Sequence, residues 1–195
     1  TAGLLILLSL ISLQRAKTVS FYASGRSYIA QGDFTSGKRQ LEKSLTYQPD
    51  LLPLDMYFRL ATVSFIEGIP QTEILKNASE RFPGNVSLLC VLGLSETLEK
   101  DPDIQQKGAA RVEDAVAYFE THKSLFENVT SAFTNLGMYY ARKGHLQHSE
   151  NMLQIPLHFK PEDAKVLYNM GLAKFMQEKP GADPFFEAAV NKEPV

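Results

Sequence analysis

The chain of 195 residues holds a single cysteine, Cys90, so no disulfide can form within it. Positive charge is not in excess either: 20 Lys and Arg against 22 Asp and Glu leave a net charge of −2. Without a basic stripe to neutralise phosphates, a nucleic-acid partner is not expected. The strings G-x-x-x-x-G-K-[ST], G-x-S-x-G and H-E-x-x-H are all missing, which removes the common phosphate-binding, esterase and zinc-protease chemistries. His145 and His148 stand near a predicted helix start and His158 follows, but no further ligands are spaced to complete a metal site. Surface histidines are the expectation there. The acidic pairs Glu113–Asp114 and Glu162–Asp163 fall at expected helix starts, where negative charge complements the helix dipole. The chain reads as a non-enzyme, with no catalytic residue, metal, cofactor or small-molecule substrate.

Strand signals are nearly absent as well. Windows such as RQLEKSL, LLCVLGL and VLYNMGLAKF instead place apolar residues three and four apart, the spacing of an amphipathic helix. Glycines and prolines recur at the joints between these windows, as alternating helices with short turns require. At 44% apolar residues, the chain can bury a sizeable core. Cys90 lies in one of the apolar runs and reads as a buried spacer, with an exposed thiol as the alternative.

The joints are periodic. Pro49, Pro83, Pro161 and Pro194 are separated by 34, 78 and 33 residues, and the middle interval divides at Glu127 into 44 and 34. One insertion of about ten residues therefore restores a single period, the signature of stacked supersecondary units. The unit ending at Pro49 carries Phe21, Gly25, Tyr28, Gly32, Gly37, Leu41 and Ser44; the unit ending at Pro161 carries Phe133, Leu136, Gly137, Tyr140, Gly144, Ser149 and Leu153. In these residues the chain resembles the tetratricopeptide repeat (TPR) family. The remaining units are weaker: Arg59 replaces a small residue, which predicts looser packing. Within the unit ending at Pro161, Pro156 stands where the family has alanine.

The resemblance implies an all-α fold, a right-handed α-solenoid of about five TPR-type helix pairs preceded by a long N-terminal hydrophobic helix. The expected boundaries are a hydrophobic helix at 1–17 and a TPR domain at 18–195, with repeats at 18–51, 52–85, 86–129, 130–163 and 164–195. The polar stretch around 99–113, with Pro102 and Gly108, reads as a loop insertion in the third.

Before the first repeat lies TAGLLILLSLISL, uncharged until Arg15 and Lys17. Leu4, Leu5, Ile6, Leu7, Leu8, Leu10, Ile11 and Leu13 cover all sides of a helix. About thirteen residues give roughly 20 Å, short of the ~30 Å bilayer core. Three readings fit: the end of a membrane helix beginning upstream or an uncleaved signal anchor, a helix buried in another subunit, and a helix packed on its own domain. No proline or glycine interrupts Leu4 to Ser24, which predicts one rod into the first repeat. Membrane association through residues 1–14 is the leading expectation. The repeats would face either the cytoplasm, favoured by Arg15 and Lys17, or the periplasm or extracellular space, and extracellular assembly is also open. Asn77, Asn85 and Asn128 head Asn-X-Ser/Thr triplets, glycan acceptors if the chain is secreted in a eukaryote and coincidences otherwise.

The family generally grips a partner peptide or helix in a groove lined by the first helices of its repeats. That implies a partner-binding groove of Tyr22, Arg26, Ile29, Met56, Leu60, Val63, Cys90, Leu94, Met138, Tyr168, Leu172 and Phe175, with Thr97, Thr134 and Ala141 beside them. Tyr22 and Arg26 occupy the place of the first Lys–Asn pair with which some members clamp chaperone tails, and Asn135 and Asn169 lack basic partners, so that clamp is incomplete. The mostly apolar lining suits an amphipathic helix or apolar peptide. The function expected is a tethered protein-interaction scaffold; the alternative is a self-assembling filament or oligomer subunit whose N-terminal helix packs on its neighbours.

Overall fold

A computed structural model describes residues 2–192, with side chains from Ile6 onward. Pro194 and the side chains of Leu4 and Leu5 lie outside the described residues. Every regular element described is helical, and the chain divides into two compact units, Thr1–Val63 and Ser64–Val195.

The first unit holds α1 (Ala2–Ala30), α2 (Phe34–Leu45), a 3-10 turn (Pro49–Leu51) and most of α3 (Leu54–Phe65). No break separates the apolar N-terminal turns from the first repeat helix. α1 is one helix of 29 residues, about 43 Å long. It ends where Gly32 adopts a φ of 81°, the left-handed conformation that glycine takes without a Cβ clash. Asp33 then caps α2, its Oδ1 accepting from the Ser36 N–H at 3.0 Å. The helices approach closely because a Cβ on Gly25 would lie 2.7 Å from Leu41 Cδ2, and one on Gly37 within 3.2 Å of the Gly25 carbonyl. Thr18 is fully buried and satisfied on both sides: its hydroxyl donates to the Gln14 carbonyl and accepts from the Gln48 N–H.

The second unit continues from the end of α3 through α4 (Thr72–Arg81), α5 (Val86–Glu96), α6 (Pro102–Thr121), a 3-10 turn (Lys123–Asn128), α7 (Thr130–Arg142), α8 (Leu146–Phe159), α9 (Ala164–Met176) and α10 (Asp183–Lys192). α5 packs on α6, α7 on α8 and α9 on α10. Caps fix several starts: Asn85 Oδ1 accepts from Leu88 N–H and Asp163 Oδ1 from Val166 N–H. Gln71 and Thr72, which open α4, are served from α5, where the buried Ser95 hydroxyl accepts from the Gln71 N–H at 2.6 Å. Pro156 sits inside α8 and is buried, and the helix runs on to Phe159.

The expected loop at 99–113 is corrected by this fold. Only a short turn follows α5, and α6 begins at Pro102 and runs for 20 residues. Pro102 stands in the first helical turn, where its missing N–H goes unneeded, and Asp101 caps it by accepting from Asp103 N–H at 2.9 Å. Gly108 is no breaker. A Cβ there would come within 2.7 Å of the Gly93 carbonyl, and one on Gly93 within 2.8 Å of the Gly108 carbonyl, so the two backbones touch. The extra residues of the third repeat lengthen its second helix instead of interrupting it.

The core of the second unit centres on Phe126, fully buried in the 3-10 turn. Its ring stacks on Phe159 at 4.2 Å and on Phe133 at 5.7 Å, and meets Phe119 edge-on at 5.6 Å. Three helices are thus pinned to one turn.

Candidate binding surfaces

The first-unit groove residues do not share one environment. Met56, Leu60 and Val63 are buried, Ile29 is half-buried and Arg26 is exposed. The half-buried Tyr22 donates its hydroxyl to Asp55 Oδ2 at 2.9 Å, Arg59 Nε donates to the same oxygen at 2.6 Å, and the Arg26 guanidinium stands 5.7 Å from the Tyr22 ring centroid. Burial pulls the Asp55 carboxyl upward, but the hydrogen bonds from Arg59 and Tyr22 outweigh it and hold the group below the usual carboxylate range. Burial and the neighbouring Asp55 push the Tyr22 hydroxyl up. Arg59, which the sequence marks only as too large for its position, is the cation bonded directly to Asp55.

On α1 the apolar turns face water. Ile6, Leu7, Leu8, Leu10 and Leu13 are each more than half exposed, and Ile11 is half-buried. Among the described residues no helix is long and apolar enough to cross a membrane. Arg15 is exposed one turn beyond Ile11, while Lys17 stands over the Tyr47 ring at 5.2 Å.

In the second unit Cys90 is buried, and burial pushes its thiol far above the ordinary range, which makes it inert. Thr134 and Ala141 are buried, and Met138 packs against Leu153, Met170 and their neighbours. Tyr168, Leu172 and Phe175 recur four and three residues apart on α9, with Tyr168 and Phe175 exposed by 52% and 67%. The exposed His145 and His148 lie with ring centroids 6.2 Å apart beside Tyr140. Among the described residues no three His, Cys, Asp or Glu side chains gather as metal ligands would. Asn77 and Asn128 are exposed, whereas the Asn85 amide is engaged in capping α5.

A second apolar surface lies where the sequence predicts a loop. Between α6 and α8 a hollow of about 310 Å³ is lined by Leu94 and Thr97 at the end of α5, Ala109, Val112, Glu113 and Val116 of α6, and Met152 and Ile155 of α8. A neighbouring hollow of about 230 Å³ shares Val116 and Ile155 and extends it along α8 from Asn151 to Phe159. Together they form an open furrow. It closes at one end, where His158 Nε2 lies 3.0 Å from Glu120 Oε1 and Phe119 meets Phe159 edge-on at 6.4 Å. Of the expected groove residues Leu94 reaches it, as a fully buried floor, with Thr97 beside it. The signal is present in the sequence, since Ala109, Val112, Val116 and Phe119 recur at helical spacing. Pro102 and Gly108, which read as breakers, conceal it.

No protein-family model and no curated protein matches this sequence. Solved structures do resemble the fold. A thermophilic TPR protein of Thermus thermophilus superposes with a TM-score of 0.53 at 16% identity, covering 91% of this chain and 92% of that one. The MamA protein follows at a TM-score of 0.43 and 20% identity, covering 91% and 92%. Human IFIT1, in a dimer with m7Gppp-AAAA, gives 0.47 and 20%, covering 83% of this chain and 40% of its own. The first likeness establishes the fold: the chain is an all-α protein of TPR type.

Proposed function

We propose that the chain is a non-enzymatic protein-interaction scaffold that holds an apolar helix in the furrow between α6 and α8 and is itself attached through the exposed turns of α1. TPR-type architecture supports the scaffold, and the furrow carries the reading. It is open to solvent, its walls between α6 and α8 are largely aliphatic, and it is long in one direction, as a helix-in-groove partner requires. The row Tyr168, Leu172 and Phe175 on α9 is a further exposed apolar face that supports the groove inferred from the repeat pattern. Burial of α1 against protein needs only the apolar turns that are exposed here, so attachment to protein is the form of tether proposed, with membrane association as the alternative.

The test uses a panel of fluorescent amphipathic helical peptides titrated against the wild-type chain and against Ala109→Arg, which places a long charged side chain in the furrow from an exposed position. Polarisation should rise with at least one leucine-rich peptide and not with the variant. Equal binding to both, or binding to neither, would sink the furrow as the recognition surface.

A further inference from the structure

The furrow and the exposed turns of α1 are counterparts. Apolar side chains in water over successive turns of a helix mark a surface that is covered in use. From Ile6 to Leu13 the donor stretch rises about 10 Å, and the furrow wall from Asn151 to Phe159 on α8 rises about 12 Å. Charge matches as well as length. Arg15 continues the row Leu7–Ile11 by one turn, and Glu113 lies in the furrow lining; among the described residues neither makes an ion pair. A leucine-rich helix with a cation one turn beyond it thus meets an aliphatic trough with a carboxylate at its edge.

We infer that the furrow between α6 and α8 is filled by the Ile6–Leu13 turns of a second copy of this chain, with Arg15 of the incoming helix set against Glu113. The inference rests on the furrow being a helix-binding site and names its occupant. Donor and acceptor are different surfaces, so the contact is heterologous: every subunit that fills a furrow presents its own to the next, and assembly propagates unless it closes into a ring.

The asymmetry can be tested by light scattering on the full chain in detergent-free buffer. Wild type should grow in mass with concentration. Leu10→Glu spoils the donor and Ala109→Arg the acceptor; both sites are exposed, so both variants should keep the wild-type circular dichroism. Each alone should be monomeric, with association weakened by roughly thirtyfold or more. Mixed in equal amounts they should form a 1:1 dimer and nothing larger, since one retains the only working furrow and the other the only working helix. Charge reversal adds a finer check: Arg15→Glu or Glu113→Arg alone should weaken association by about threefold, and the two together should restore it. A monomeric wild type, an oligomeric Leu10→Glu, or a mixture that fails to dimerise each overturns the inference. A wild type that stays monomeric but co-sediments with phosphatidylcholine vesicles overturns it in favour of a lipid surface. If the helical-peptide panel still binds the furrow in those cases, the scaffold reading stands and only its occupant is wrong.

Discussion

In the pair α5–α6 two backbones touch, whereas in α9–α10 a ring stands between them. Gly93 and Gly108 oppose each other so closely that either Cβ would meet the other residue's carbonyl oxygen. Gly171 instead faces the edge of Phe186, whose Cε1 would lie 2.9 Å from an added Cβ. Both regions also carry side-chain ion pairs. α5–α6 carries an ion pair, Arg111 Nε to Glu96 Oε2 at 3.0 Å, with the Glu96 side chain 1% exposed. Around α9 the carboxylate of Glu150 on α8 is gripped by Lys174 at 3.0 Å and Lys179 at 2.9 Å. Backbone contact leaves nothing to rearrange; contacts through side chains do. The third pair should therefore be the rigid one and the fifth the adaptable one.

The largest expected effect lies at the turn that follows the rigid pair. Phe126→Ala removes a fully buried ring with three aromatic neighbours and should destabilise the chain by about 4 kcal/mol in urea denaturation. A loss below about 1 kcal/mol would show that the turn is not the keystone of the core. Gly93→Ala comes next, at about 3 kcal/mol, because the opposing atom is a carbonyl oxygen that can yield only if a helix moves. An unchanged midpoint would refute the backbone contact.

Where α8 meets the fifth pair, the ion cluster should respond to pH. The hydrogen bond from Lys179, and then that from Lys174, holds the Glu150 carboxyl below its ordinary value of 4.5. A lowered folded-state value means that the stabilisation is present above the ordinary value and is lost as the pH falls through the folded one. Glu150→Gln should cost about 1 kcal/mol at pH 7, and its difference from wild type should shrink on acidification below 4.5. A difference independent of pH would assign the loss to packing. The smallest effect is expected for Gly171→Ala, within about 1 kcal/mol, since the Phe186 ring can tilt while alanine favours the helix. A cost equal to that of Gly93→Ala would erase the distinction between the two pairs.

Much of this was legible in the chain itself. Gly32 and Gly144 are the turn glycines the repeat pattern demands, and both adopt positive φ, at 81° and 76°. The unbroken run from Leu4 to Ser24 is one helix because nothing in it removes a backbone donor or opens the turn. The depth of the groove residues is less legible in the sequence. Groove positions taken from a repeat pattern do not say how deep each side chain lies, so Met56, Leu60 and Cys90, all buried, looked the same as the exposed Phe175. Arg59 could be recognised as a misfit, but its cluster depends on Tyr22, which reaches Asp55 from a different helix.

Periodicity, caps and turn residues are local, so the sequence alone determined that this protein is a set of helix pairs and where most of them begin and end. What Pro102 and Gly108 do was decided only in three dimensions. Either residue breaks a helix or builds one according to its position in the helix and to what stands opposite. Because Pro102 falls in a first turn and Gly108 falls against Gly93, the inserted residues extend α6, and it is that extension which lines the furrow.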